Sequence, residues 1–159
     1  MKLDIASIND EDREFIVRYI SRNWGSSVIV TRGKVHRTEE LPGFVALMDR
    51  EIKGIVTYNI YESDCEIVSL DNLSERCGVG SSLIEKVTSI AQQNHCRKIW
   101  LITTNDNVHA IRFYQIRGFD LVALHRFAVN EARRIKPQIP FIGIDDIPIL
   151  HEIEFEKVL

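Results

Sequence analysis

The stretch that decides the fold is SLDNLSERCGVGSSLIEKVTSI, residues 69–90. It begins as the end of a β-strand, turns at Gly78 and Gly80, and continues with apolar residues at helical spacing. Glycines at a strand-to-helix junction let backbone N–H groups converge at the helix N-terminus, where a phosphate binds favourably. Because such turns also use glycine for steric reasons alone, the phosphate interpretation needs support from elsewhere in the chain.

Composition predicts an ordinary globular protein. A chain of 159 residues has the size of one domain, residues 1–159, and its hydrophobic content of 45% is enough for a sizeable core. The net charge of −3 provides no basic surface for nucleic acid, and no apolar run has the length of a membrane span. We therefore expect neither a nucleic-acid partner nor a membrane partner.

The cysteines indicate the redox compartment. Cys65, Cys77 and Cys96 are odd in number and lack the CxxC spacing of a zinc site. The N-terminus also lacks the apolar core of a secretory signal. These features predict a reduced, cytoplasmic protein, without a disulfide framework and without a bound metal.

Strand signals precede the deciding stretch. Alternation at residues 2–6 predicts a short edge strand, and Asn9 or Asp10 can cap the helix that follows, which Gly25 ends. Residues 24–42 are predicted as a short strand or turn followed by a mobile loop. Three further runs predict an antiparallel meander, namely residues 44–48, 52–61 and 65–70.

The second half completes a mixed sheet. The compact apolar run at residues 98–103 predicts a strand parallel to the one before the glycine turn, because a helix separates them. A helix is predicted at residues 105–117, a strand at 119–124 and a helix-compatible segment at 126–136. Residues 151–157 are predicted as a last strand inside the sheet. The fold class is α+β, with a mostly antiparallel sheet of about seven strands around a central βαβ unit.

The supporting motif is NVHAIRFYQIRGF, residues 107–119. On a helix, Asn107, Ala110 and Tyr114 fall on neighbouring faces, and the small Ala110 permits close approach of a ligand. Together with the glycine turn and the βαβ unit, this motif resembles the GNAT superfamily of acyl-CoA-dependent N-acetyltransferases. The resemblance covers residues 44–119 and implies a three-layer α/β/α fold with acetyl-CoA as cosubstrate. One departure is Glu75, which stands where the family usually has Gln or Arg, and Arg76 is proposed to compensate.

The resemblance also implies cofactor-binding residues. The turn would hold the pyrophosphate of coenzyme A mainly through backbone amides, and the strand end would splay from the Trp100 strand to admit the pantetheine arm. Asn107 would bond that arm or an adjacent backbone group. The residues implied on the cofactor side are Leu70, Asp71, Arg76, Cys77, Gly78, Val79, Gly80, Ser81, Asn107, Ala110 and Phe113.

Two groups are expected to carry the chemistry. An alkyl ammonium has a pKa of about 10.4 and must lose a proton before it attacks. Glu66 is the leading candidate for the base, and Asp71 or a water chain is the alternative. Glu66 also has the simpler interpretation of a solvated strand residue. Tyr114 is the predicted acid for the leaving thiolate, and its simpler interpretation is a core aromatic.

Acceptor recognition is predicted near Trp24 and His36. The alternative interpretation of each residue is a purely structural role. Arg133, Arg134 and Lys136 form a local basic patch that either holds the acceptor or the cofactor's 3′-phosphate, or is only a solvated helix face. The expected activity is direct acetyl transfer from acetyl-CoA to a primary amine of a small molecule or peptide, by a monomer or homodimer. The alternatives are a non-catalytic acyl-CoA-binding module and a nucleotide-binding protein.

Overall fold

A computed structural model describes residues 2–73 and 78–159. Seven strands form one mixed sheet in the order β1-β4-β5-β6-β7-β9-β8. The parallel pair is β6 with β7, and the other neighbouring pairs are antiparallel. The strands are β1 (Asp4–Ser7), β4 (Gly43–Met48), β5 (Glu51–Tyr61), β6 (Asp64–Asn72), β7 (Lys98–Thr104), β8 (Asp120–His125) and β9 (Glu152–Val158).

Helices cover both faces of the sheet, which confirms the predicted three-layer α+β architecture. Helix α1 (Asp10–Trp24) packs on one face, and helices α2 (Val79–Gln93) and α3 (Val108–Ile116) pack on the other. Helix α1 starts where the Asn9 side chain accepts a hydrogen bond from the Asp12 N–H and the Asp12 carboxylate accepts one from the Asn9 N–H. This capping box selects Asn9 rather than Asp10 as the cap.

At residues 24–42 the predicted short strand is present, but the mobile loop predicted after it is wrong. The segment contains a two-stranded hairpin of β2 (Val28–Thr31) and β3 (Lys34–Arg37), followed by a 3₁₀ turn at Thr38–Glu40. Arg32 and Gly33 make the two-residue turn, with φ of 49° and 76°. Positive φ at both central positions matches the twist of a tight hairpin, and glycine adopts it without strain. The hairpin lies on the α1 side of the sheet, where Ile29 joins the core with Ile16 and Ile20.

The C-terminal part also differs in detail from the prediction. Helix α4 (Ala128–Ile135) is shorter than the helix-compatible segment at 126–136, and helix α3 starts three residues later than predicted. Strand β9 lies between β7 and β8, as expected for a last strand inside the sheet. In the part of the chain described here, no helix is long and apolar enough to span a membrane.

Candidate active site

Strands β6 and β7 separate at their C-terminal ends. They pair from Asp64↔Lys98 to Ile67↔Leu101, although β6 continues to Asn72 and β7 to Thr104. Beyond that point β6 still pairs with β5 and β7 still pairs with β9, so the edges that face each other lack a strand between them. The resemblance implied this divergence, and the resulting opening is called the strand gap below.

Side chains from both layers line the strand gap. It encloses a cavity of about 190 Å³. Leu70 and Asp71 contribute from β6, Asn107, Ala110 and Tyr114 from α3 and its cap, and Trp24 from the end of α1. The structure therefore brings together six of the residues implied by the sequence.

Tyr114 is buried at the floor of the strand gap. Its ring packs against Phe113, Phe119 and Phe155, at centroid distances of 5.1, 5.4 and 6.0 Å. Burial raises the pKa of the phenol, the negative charge of Asp71 raises it further, and Arg117 acts in the opposite direction. Tyr114 is thus a neutral hydrogen-bond donor at physiological pH.

Asp71 is the carboxyl group of the strand gap. Burial raises its pKa to about 6, although a hydrogen bond from the Trp24 indole acts to lower it. Its Oδ2 atom is buried and has no hydrogen-bond partner among the residues that the structure describes. A carboxylate with one free oxygen and a pKa near neutrality is suited to accept a proton from a bound group.

Glu66 and His36 lie outside the strand gap, beneath the β2–β3 hairpin. The Thr31 hydroxyl donates to Oε2 of Glu66 at 2.7 Å, and Nε2 of His36 lies 3.2 Å from Oε1. Nε2 also lies 3.0 Å from the Thr31 oxygen. Because that hydroxyl already donates to Glu66, Nε2 must carry the hydrogen of the second bond. Glu66 lines a separate cavity of about 620 Å³ beside Trp100, and His36 is buried.

The N-terminus of α2 provides the predicted phosphate turn. Gly78 caps the helix in the left-handed conformation, with φ of 65°, and no heavy atom of the described chain lies within 4 Å of a Cβ added there. A Cβ on Gly80 would lie 2.9 Å from ring carbons of Phe113, so this glycine also allows α2 to approach α3. Val79 is buried beneath the turn. The predicted contacts of Arg76 and Cys77, and the anomaly at Glu75, lie outside the described residues.

Arg117 connects the two helices at this end. Its Nε donates to the Ser81 hydroxyl at 2.9 Å, and its guanidinium stacks 3.5 Å from the centroid of the Phe113 ring. It places a positive charge beside the first turn of α2, where the helix dipole also favours anions. The sequence interpretation overlooked this cation, although it lies within the motif at residues 107–119.

These features fit acetyl-CoA. A helix N-terminus with a left-handed glycine suits a pyrophosphate, and a strand gap with free backbone edges suits an extended arm that carries amide groups. Asn107 caps α3 by accepting a hydrogen bond from the Ala110 N–H at 3.2 Å, so its side-chain amide still has N–H groups to donate. Within residues 2–73 and 78–159, no group of three or more His, Cys, Asp or Glu side chains could hold a metal ion.

A larger cavity of about 420 Å³ opens from the strand gap on the α1 side. It shares Trp24, Asp71 and Asn107 with the gap. Its walls come from the end of α1, from β2 and from residues 136–149. We call it the acceptor cavity, because a molecule in it would have one end at the strand gap.

Hydrogen bonds fix the C-terminal wall of the acceptor cavity. Oδ1 of Asn105 accepts from the N–H groups of Leu150 and His151, both at 2.9 Å. Asp106 accepts from the Thr104 hydroxyl at 2.5 Å and from the Ile144 N–H at 3.2 Å. The segment between α4 and β9, which forms this wall, is therefore held in a defined position.

The basic patch predicted on this segment is not a single surface. Arg133 donates to the carbonyls of Ile139, Pro140 and Ile149, Arg134 is exposed, and Lys136 is buried against the acceptor cavity. Helical periodicity could have separated these three positions, but nothing in the sequence signals the burial of Lys136. Thr31 was overlooked as well, since its role depends on the hairpin.

The comparisons with known proteins agree with this geometry. The pattern described as "Acetyltransferase (GNAT) family" matches residues 8–119. The chain is 41% identical to the Bacillus subtilis protein YdhI over 152 residues, which is 95% of each chain.

Solved structures show the same fold. An IAA acetyltransferase from Bacillus cereus superposes with a TM-score of 0.72 at 14% identity, covering 99% of this chain and 100% of that one. A GNAT acetyltransferase from Elizabethkingia anophelis with acetyl-CoA bound has a TM-score of 0.69 at 17% identity, covering 99% and 98%. Because the family pattern matches residues 8–119, more than half of the sequence, the chain belongs to the GNAT acetyltransferase family.

Proposed function

We propose that the protein transfers an acetyl group from acetyl-CoA to a primary amine by direct attack, without an acyl-enzyme. The observation that carries the proposal is that the strand gap has a carboxylate, Asp71, and a phenol, Tyr114, on its walls. Bound acetyl-CoA would supply a thioester, whose carbonyl carbon bonds to the amine nitrogen while the carbon–sulfur bond breaks. The ammonium loses one proton to solvent before attack. The proton that nitrogen loses on attack goes to Asp71, the sulfur receives a proton from Tyr114, and exchange with solvent then restores both groups.

Asp71 is proposed as the proton acceptor. With its pKa raised to about 6, the group is mostly ionised at neutral pH yet more basic than an exposed aspartate. The unpartnered Oδ2 atom leaves one position for an incoming ammonium. Trp24 orients the carboxyl group through its indole hydrogen bond.

Tyr114 is proposed to stabilise the leaving sulfur. A thiol has a pKa of about 8.5, so a phenol with a raised pKa gives up its proton to a thiolate only with difficulty. However, Asp71 raises that pKa by its negative charge. When Asp71 takes the proton from the amine, the charge is lost and the phenol becomes a stronger acid.

The backbone supplies the remaining stabilisation. N–H groups on the gap edge near Leu70 are proposed to bond the carbonyl oxygen as negative charge builds on it. Most of the rate acceleration then comes from holding the amine and the thioester together in one cleft.

Glu66 is the second candidate for the base. Its two carboxylate oxygens bond to Thr31 and His36, and it lines a cavity apart from the strand gap. We therefore favour Asp71, and propose that Thr31 and His36 fix the hairpin to β6 through Glu66.

The test is a panel of primary amines incubated with acetyl-CoA, with free thiol as the readout and thermal stabilisation by CoA measured in parallel. Thiol release that depends on the amine supports the proposal. Stabilisation by CoA with no thiol release across the panel would instead indicate a non-catalytic acyl-CoA-binding module. Equal stabilisation by ATP and CoA would favour a nucleotide-binding role.

A further inference from the structure

The acceptor cavity has an apolar interior. Ile29 of β2 and Ile139, Ile144 and Ile149 of the C-terminal segment face it, together with the rings of Tyr19 and Trp24. A ligand that fills this space gains from removing apolar surface from water. The cavity therefore favours an acceptor with an aliphatic or aromatic body over a fully hydrated polyamine.

Lys136 is a buried cation on the wall of this cavity. The residue is 5% exposed, and burial lowers the pKa of its ammonium. Within the described chain its side chain has no ion pair and no hydrogen bond, although its backbone N–H bonds the Ala132 carbonyl. Its Nζ atom is not among the buried side-chain atoms without a partner in the described residues, so the ammonium faces the space of the cavity, where an anionic group would pair with it.

The other charges on the cavity wall are two carboxylates. Both oxygens of Asp106 already accept hydrogen bonds, from Thr104 and from the Ile144 N–H. Asp71 has a free oxygen at the strand gap. Asp71 and Lys136 both line this cavity, and no ion pair joins them in the described chain.

We propose that the acceptor is an apolar amino carboxylate, bound with its amine at Asp71 and its carboxylate at Lys136. This inference rests on the proposed acetyl transfer and names the substrate class. Free amino acids with an aliphatic or aromatic side chain have the required three parts: an amine, an apolar body and an anionic group.

The test compares each amino acid with the amine that lacks only its carboxylate. L-Phenylalanine is matched with phenethylamine and L-leucine with 3-methylbutylamine, and kcat/KM is measured from free thiol release. The wild-type protein is expected to prefer each amino acid at least tenfold. Lys136→Met is expected to remove that preference by lowering kcat/KM for the amino acids about tenfold or more, while the KM for acetyl-CoA stays unchanged.

Lys53→Met is the matched control, because Lys53 is paired with Glu51 on the surface away from both cavities. It is expected to retain the wild-type preference. A wild-type preference for the decarboxylated amines would overturn the inference, and so would an equal loss on both members of a pair in Lys136→Met. If Lys136→Met does not fold, the inference is decided by whether the wild-type protein prefers the amino acids over the matched amines.

A binding measurement separates this inference from the proposed function. The thermal shift caused by L-phenylalanine in the presence of CoA is compared between the wild type and Lys136→Met. A Lys136-dependent shift without any thiol release would support the anion site while acetyl transfer fails. The opposite outcome is thiol release with other amines while amino carboxylates are neither bound nor acetylated. That outcome would support acetyl transfer and overturn this inference.

Discussion

Asp71 and Tyr114 face the same strand gap, and the charge of the carboxylate raises the pKa of the phenol. Protonation of one therefore changes the acidity of the other. A proton that arrives on Asp71 from the amine makes Tyr114 a better donor at the moment when the sulfur needs one. The pair can thus be tested by removing one member at a time.

Tyr114→Phe is expected to lower kcat about 100-fold, because the leaving sulfur loses its proton donor. The KM for acetyl-CoA should change little, since the ring still packs against Phe119 and Phe155. Tyr58→Phe, which removes a phenol that stacks on Phe44 away from the gap, is the control. An unchanged kcat in Tyr114→Phe would eliminate the proposed acid.

Asp71→Asn is expected to lower kcat/KM about 100-fold at neutral pH, because the amine loses its proton acceptor. In the wild type, kcat/KM should fall as the pH drops through about 6, where Asp71 becomes protonated. The variant should lack this acidic limb and recover partly at high pH, where the amine deprotonates in solution. Glu66→Gln should retain the acidic limb; a limb that disappears in Glu66→Gln but persists in Asp71→Asn would make Glu66 the base.

The same substitution should stabilise the fold. The pKa of Asp71 is raised from 3.8 to about 6, so the folded state holds its proton more tightly than the unfolded state, and stability decreases as the pH rises between these values. The cost is about 3 kcal/mol above pH 6 and absent below pH 4. Urea unfolding should therefore show a more stable Asp71→Asn protein at pH 7 and no difference at pH 3.5. Equal stability at pH 7 would contradict the burial of this charge.

Gly80→Ala should destabilise the protein by about 1–3 kcal/mol, because its Cβ would lie 2.9 Å from the Phe113 ring. Adding Phe113→Leu to Gly80→Ala should restore much of the lost stability by making room. Gly78→Ala, which meets open space but keeps a positive φ, should cost about 1–2 kcal/mol and should not respond to Phe113→Leu. Chemical unfolding of the three single variants and the two double variants measures this coupling; additive effects of Gly80→Ala and Phe113→Leu would exclude the helix contact.

The sequence was most informative where structure is local. The βαβ unit is contiguous, and its apolar patterns at residues 69–90 and 98–103 each fit a single element. The GNAT motif then identified Asn107, Ala110 and Tyr114, which the structure places together on the strand gap. The family match over residues 8–119 confirms the assignment of the chain to the GNAT family.

The acceptor side depended on tertiary contacts that leave little trace in the sequence. The hairpin was missed because its second strand, residues 34–37, has one β-branched residue in KVHR, and because Arg-Gly at residues 32–33 is a weaker turn signal than Asn-Gly. From the sequence alone, Glu66 is interpreted as a catalytic or solvated carboxylate, because its burial depends on the hairpin that covers it. From the sequence alone, Lys136 is interpreted as a surface lysine, because its burial depends on the C-terminal segment that covers it.

The two sides of the active site are assembled in different ways. The strand gap is lined mainly by the stretch from β6 to α3, with Trp24 added from α1, whereas most of the acceptor cavity is lined by α1, β2 and the segment before β9. Chimeric proteins that exchange residues 26–37 or 137–148 with those of a relative should therefore keep the donor specificity and acquire a new acceptor. In this arrangement, the walls of the acceptor cavity can change while the lining of the strand gap stays the same.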